Sequence, residues 1–379
     1  MKFNGTLNTN EYYNGLFNAY ALIQTFADAL TGLDSTLADK FRADGGMYKD
    51  QSVFTDMDIL TSREWDPTDT NVLATEQKVK PVQQTIVLDQ KRQIAMTTEN
   101  YLTKRAWMDE GSFSQFNSVA QSQIGNTKKV YEQRLVDVAT GIMEAEMPDG
   151  KGSGQAQTVN IPAGTSEELT VRKIGKKIAD ILVDVKDTTR DFNDYGFVKA
   201  YNKNDLMIVW NAAYLNQFNY VDLPTIYHKD GIIDFVGDQL PGRYFGKLTS
   251  SADVGEGLVL ENNRVHSGAG LPKVRAVVEK TIGTGDSAVH YFPGDIIADN
   301  TTVGGSSAAF KYDECYKEDA SIICKIMHKN SIKYLSSFES STEFFNAKNL
   351  SQNRYLTWMY AKPDYLRNYP LITLRETNN

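Results

Sequence analysis

One helical pattern constrains this chain more than any other feature. Phe113, Phe116, Ala120, Ile124, Tyr131, Leu135, Val138, Ile142 and Ala145 recur at three- and four-residue steps from about Ser112 to Glu146, broken by one polar turn at Thr127. At roughly 1.5 Å per residue, a helix of that span is on the order of 50 Å long, more than the diameter of a small domain. A molecule built around such a rod is elongated. Gly125 and Gly141 are expected to weaken or bend it, and the alternative is two shorter helices broken at Gly125.

Around the rod the chain changes character several times. Residues Glu11 to Phe41 read as an amphipathic helix, with Tyr13, Leu16, Phe17, Tyr20, Ile23, Phe26, Ala27 and Leu30 on one stripe, ended by Gly45-Gly46. From Tyr48 to about Trp107 the pattern is extended. Val53, Thr55, Met57 and Ile59 alternate with more polar neighbours, which predicts a strand burying that face. A polar stretch from Thr61 to Thr75 follows, and Lys80 to Gln90 is β-branched and extended again. Two strands flanking a polar connection make a hairpin-like arm with few large apolar residues of its own. A lone two-stranded ribbon is marginal, so this arm is expected to be mobile until it lies on something else.

Beyond the rod, Pro148 to Gly154 is a turn or flexible link. A second helix follows, with Thr165 or Ser166 as N-cap, Glu168 near the capping-box position, and Ile174, Ile178, Ile181, Leu182 and Val185 as its stripe. Asp205 to Trp210 is a short buried-strand signal. Asp222 to Gly305 reads as short strands, turns and Gly-rich corners. Ala320 to Met327 is another apolar strand, running on through Ser341 to Leu350 into an aromatic closing segment. There is no internal repeat. At 379 residues the chain exceeds what one core usually holds, so two or more lobes are expected.

Composition narrows the function by exclusion. The net charge of −8 disfavours a dedicated reader of nucleic acid, whose phosphates would be repelled. Two cysteines, Cys315 and Cys324, rule out a disulfide-dense secreted scaffold and fit a reducing cytoplasm. The early apolar stretch, Ala19 to Leu30, is too short to span a bilayer, and no targeting signal is visible. Twenty Tyr and seventeen Phe supply either a well-filled core or a large interface between chains.

No phosphate loop is present, because Gly242 to Leu248 has the wrong spacing and lacks the Ser or Thr that would meet magnesium. Gly283-Thr284-Gly285 is too weak for a dinucleotide fingerprint, and there is no serine elbow. The four histidines are scattered. Cys324 and His328 with Cys315 upstream could be imagined as a metal site, but a packed thiol in an apolar strand is the ordinary reading. Nothing nominates a catalytic residue or a cofactor, so the chain is read as a structural protein, not an enzyme.

The order of elements carries a resemblance. A helical N-terminal arm, a long two-stranded loop, a very long helix, a linker, a mixed lobe and an aromatic-rich return resemble the Hong Kong 97-type fold of tailed-phage major capsid proteins over nearly the whole chain. Three passages carry it. Lys80 to Trp107 looks like the returning strand of the extended loop entering the spine helix. Asp205 to Asn211 looks like the strand of the axial domain that follows its long helix. Glu318 to Phe345 looks like the chain passing from the axial domain back into the peripheral one.

The resemblance implies an α+β fold with an N-terminal arm over 1–47, an extended loop over 48–107 and the spine helix of the peripheral domain over 108–153. An α/β axial domain follows over 154–319, then a C-terminal return over 320–379. It implies self-assembly into pentamers and hexamers of an icosahedral shell around double-stranded DNA. It places the protein in the virion capsid, assembled in the host cytoplasm, with a separate scaffolding protein, a portal and possible decoration proteins as partners, and no membrane. Interface residues are expected along the loop and its junction with the spine: Arg63, Trp65, Lys80, Asp89, Arg92, Lys104, Arg105 and Trp107. An encapsulin-like nanocompartment shell shares the fold, and a phage tail or adhesion protein is the rival of a different class, against which the long helix argues. An unrecognised enzyme is a third reading.

Overall fold

The computed structural model describes residues 37–44, 51–62, 68, 79–99, 110–145, 158–164, 167–221, 237–285, 288–305 and 308–377. Of the expected N-terminal helix, only Leu37–Phe41 (α1) falls within them. The turn expected at Pro148 to Gly154 and the two N-cap candidates lie outside.

In chain order the elements are α1, β1 (Arg42–Asp44), β2 (Gln51–Asp56), β3 (Val82–Val87), β4 (Gln90–Glu99) and the long helix α2 (Glu110–Ile142). Next come β5 (Thr158–Pro162), α3 (Glu167–Asp184), β6 (Leu206–Asn211), α4 (Ala212–Val221) and β7 (Asp238–Leu240). Short strands follow: β8 (Gly246–Leu248), β9 (Leu260–Glu261), β10 (Arg264–Val265), β11 (Val274–Ala276), β12 (Lys280–Ile282), β13 (Val289–Tyr291) and β14 (Cys315–Glu318). The chain closes with β15 (Ile322–His328), β16 (Ile332–Asn346), β17 (Ser351–Tyr360), β18 (Asp364–Tyr365) and β19 (Leu371–Thr377).

The long helix is a single element of 33 residues, unbroken at Gly125 or Gly141. Its second half carries Tyr131, Leu135, Val136 and Val138 into a core shared with Leu37 and Phe41 of α1 and with Ile332, Tyr334, Leu356, Trp358 and Tyr360 of β16 and β17. Gly141 has a packing purpose. A Cβ built there would lie 2.0 Å from the Tyr244 carbonyl oxygen, so only glycine lets the turn at Gly242–Tyr244 approach the helix backbone.

Two sheets organise the rest. The central sheet has the order β5-β19-β15-β6-β7, with α3 on one face. The α3 stripe Ile174, Ile178, Ile181, Leu182 and Val185 is buried against Ile208, Ile323, Cys324, Ile326, Ile372 and Leu374. Each such burial contributes about 1.5–3 kcal/mol. Val209, expected in that same core, alternates to the opposite face and packs in the core of the long helix with Ile322, Met327 and Leu371. The strand signal at Ala320 to Met327 is β15, whose two faces serve the two cores. A division at 319/320 cuts this sheet, since β15 and β19 pair with each other and with β6 and β5.

The second sheet, β1-β16-β17-β4, is long and narrow. β16 pairs antiparallel with β17 from Ser336↔Tyr360 to Asn346↔Ser351, and β17 with β4 from Ser351↔Glu99 to Tyr360↔Gln90. The closing segment is therefore a hairpin that turns back at 347–350. Residues 254–315 form a satellite of short strands around Leu260, Val274, Ile297, Val303, Phe310 and Cys315. No helix among the described residues is long and apolar enough to cross a membrane.

Candidate assembly surface

The ribbon of β2 and β3 is seated on its own chain by one face. Phe54, Ile86 and Leu88 pack with Leu335, Ala361 and Leu366. The Gln84 side-chain amide donates to the Tyr365 carbonyl at 2.8 Å and accepts from the Arg367 N–H at 3.1 Å. Two carboxylates clamp the outgoing strand: Asp56 accepts from Lys199 at 2.8 Å, and Asp58 accepts from Arg190 at 2.6 Å and from the Val198 N–H at 3.0 Å. Burial pushes the Asp58 carboxyl upward, but these donors, Arg190 foremost, outweigh it and hold the group below its ordinary range. The ribbon thus has an internal seat, which corrects the expectation of an arm with nothing of its own to lie on.

That seat inverts the strand face expected from sequence. Ser52, Phe54 and Asp56 turn inward, while Val53, Thr55, Met57 and Ile59 turn out. Because the side-chain period is two, the choice between the faces is all or none. Phe54 and the two carboxylate clamps outweigh four smaller side chains. The outward face is completed by Gln51 and by Gln83, Thr85 and Val87, paired as Gln51↔Val87, Val53↔Thr85 and Thr55↔Gln83. It carries no charge along the paired stretch. Val53 is 49 % exposed, Met57 51 %, Ile59 62 % and Val87 49 %. Leu60 and Val79, beyond the paired strands, are exposed apolar side chains as well.

Of the interface residues expected from sequence, Lys80 and Asp89 are exposed at the two ends of β3. Arg63, Trp65, Lys104, Arg105 and Trp107 lie outside the described residues. Arg92 finds its partner within the chain. Its guanidinium donates to the Glu279 carbonyl at 2.8 Å, pairs with the Glu279 carboxylate at 3.4 Å and lies 5.3 Å from the Tyr131 ring centre. It ties β4 to the satellite of short strands and to the long helix, a role that sequence did not reveal. A second exposed apolar group was also missed: Phe344, Phe345 and Leu350 stand at the end of the β16–β17 hairpin. The signal for both groups was present as apolar residues in uncharged or serine-rich extended stretches. Sequence alone does not say which face of a strand is seated.

Among the described residues, no group of three His, Cys, Asp or Glu side chains could hold a metal ion. Cys315 and Cys324 are buried, and burial pushes both thiols up, Cys315 to about 11.

The profile of the Phi29-like phage major capsid protein family matches residues 8–363. The chain belongs to that family. As a major capsid protein of a tailed phage, it builds the icosahedral shell of the head, and the nanocompartment, tail and enzyme readings lose their support. Its fold is similar to a chain in the capsid structure of Staphylococcus phage Andhra, with a TM-score of 0.57 at 10% identity over 95% of this chain and 87% of that one. It is similar, with a TM-score of 0.56 at 10% identity over 94% and 87%, to a chain in the structure of head fiber and inner core protein gp22 of native bacteriophage P68. At such identity these likenesses concern the fold, a mixed α/β arrangement of several sheets and few helices. No curated protein matches the capsid protein.

Proposed function

We propose that this capsid protein tiles its shell as a Hong Kong 97-type subunit. The ribbon of residues 48–107 is the extended loop, and its outward face docks across a neighbouring copy within pentamers and hexamers. The observation that carries this reading is that face itself, uncharged and half apolar on a chain in which 23% of residues are charged. Burial against a neighbour removes that strip from water and pairs the edges of a two-stranded sheet. Arg63, Trp65, Lys80, Asp89, Lys104, Arg105 and Trp107 extend the same interface, with Arg92 bracing its base. The shell encloses double-stranded DNA without reading it, in keeping with the net charge of −8. Assembly in the host cytoplasm draws on a separate scaffolding protein, a portal and decoration proteins.

The test places charge on the strip. Val53→Asp combined with Val87→Asp leaves the inward seat untouched, so circular dichroism and melting are expected to match wild type. Particle yield in micrographs and on gradients is expected to fall about tenfold or more, the effect of losing ~1.4 kcal/mol per contact. Undiminished yield of normal particles would sink the docking assignment. A milder effect is expected from reversing Lys104 and Arg105 together, because exposed pairs contribute about 0–1 kcal/mol each. That variant should assemble more slowly and show a steeper dependence on salt, read by light scattering.

A further inference from the structure

The most anomalous residue in the core is Lys325. It lies in the middle of β15, the central strand of the five-stranded sheet, with 0% exposure. Its neighbours in register are Val209 and Thr373, both buried, and Ile322, Ile323, Cys324, Ile326 and Met327 around it are buried as well. An ammonium there costs several kcal/mol unless it is paired, and burial pulls its pKa down to about 7.

Its partner explains its position. The ammonium donates to the carbonyl of Met143, the residue that follows the last residue of the long helix. The final carbonyls of any helix lack intrahelical partners, and this helix has no basic residue in its own last turn. Lys325 supplies that cation from a strand more than one hundred residues away in sequence. The next residue, Glu144, is held by Arg375 of β19, which also holds Asp319 ahead of β15. Asp319, Glu144 and Arg375 are further charged groups at this joint. Two adjacent strands therefore grip residues 143 and 144 from below.

We propose that Lys325 is a positioning residue, fixing where and in which direction the long helix meets the central sheet. Apolar contacts between a helix and a sheet are non-directional and tolerate small rotations. A bond from a buried ammonium to one particular carbonyl does not: a slide of roughly 1.5 Å, one residue of rise, leaves the charge without its acceptor. Buried ionic groups retained at a cost in stability have this kind of specificity as their best-attested use. In a shell, an angular error at this joint in one copy is passed on to its neighbours.

Lys325→Met tests this, as it keeps the unbranched stem, one atom shorter, and removes the charge. The variant is expected to fold, with a thermal midpoint at or above that of wild type at pH 7. Its particles are expected to be heterogeneous in diameter and rich in open or malformed shells. Particles with the wild-type size distribution would overturn the proposal. So would a variant that fails to fold or melts well below wild type, since the ammonium would then be an ordinary stabilising contact.

Discussion

Gly141→Ala is expected to destabilise the subunit by more than about 4 kcal/mol, the range reached only by core disruption. Intrinsic propensity argues for the opposite sign, because alanine in a helix interior is favoured over glycine by about 1 kcal/mol. Geometry decides the matter: the added carbon would lie 2.0 Å from the Tyr244 carbonyl oxygen and 2.6 Å from its carbon, both backbone atoms that cannot swing aside. Either the helix retreats from the Gly242–Tyr244 turn, opening a gap beside Val138 and Phe245, or the turn is expelled. Gly125 is the internal control. It lies in the same helix, and a Cβ added there would meet nothing within 4 Å, so Gly125→Ala is expected to stabilise by about 0.5–1 kcal/mol. Urea unfolding of both variants measures the contrast, and equal effects of one sign would refute the close-approach account.

Asp137→Asn is expected to change the pH dependence of stability. Asp137 lies on the long helix with 5% exposure, and burial pushes its pKa up from 3.8 to about 7, against the opposing pull of Arg243 and a hydrogen bond from Gln133. Between those values the folded protein holds a proton that the unfolded chain has released. The unfolded state binds fewer protons, so stability falls as pH rises from about 4 to about 7, by on the order of 4 kcal/mol. The asparagine variant lacks this loss. It is expected to match wild type near pH 4 and to exceed it in melting temperature from pH 7 upward. Parallel profiles for the two proteins across that window would show that Asp137 is solvated and charged in the folded state. Lys325 contributes a slope of opposite sign. Its folded pKa is lowered to about 7 from 10.5, so the unfolded chain binds more protons above pH 7 and stability rises with pH. Readings for it belong between pH 7 and about 9, because the buried thiols and phenols, with pKa values pushed up, reverse the trend in more alkaline solution.

Elements with one dominant face were legible in the sequence. The long helix and the α3 stripe carry aliphatics at helical steps, and the structure places both where the periodicity put them. The strands at Asp205 to Trp210 and Ala320 to Met327 were legible as strands, but their two faces serve different cores, so Val209 was assigned to the wrong one. Partner identity is a tertiary fact that alternation does not encode. The outward turn of Val53, Met57 and Ile59 follows from the same limit: seating was decided by Phe54 and by Asp56 and Asp58 meeting Lys199 and Arg190, from a loop far along the chain. The β16–β17 hairpin was obscured because Ser336, Ser337, Glu339, Ser340 and Ser341 offer no apolar alternation to read. Lys325 could be read as a charge in an apolar run, yet nothing nearby in sequence named the Met143 carbonyl as its acceptor.

The order in which the chain is made bears on when it can assemble. Among the described residues β5 pairs in the central sheet with β19 alone, and more than 200 residues separate them in sequence. The seat of the ribbon is built from Leu335, Ala361 and Leu366, again late in the chain. At ribosomal rates of about 5–20 residues per second, the early half waits on the order of ten seconds or more for these partners. A nascent or truncated chain can make the long helix but cannot hold its ribbon in the presenting orientation. If the outward strip docks as proposed, only chains whose translation has passed residue 366 hold it in place for a neighbour, because Leu335, Ala361 and Leu366 are its seat.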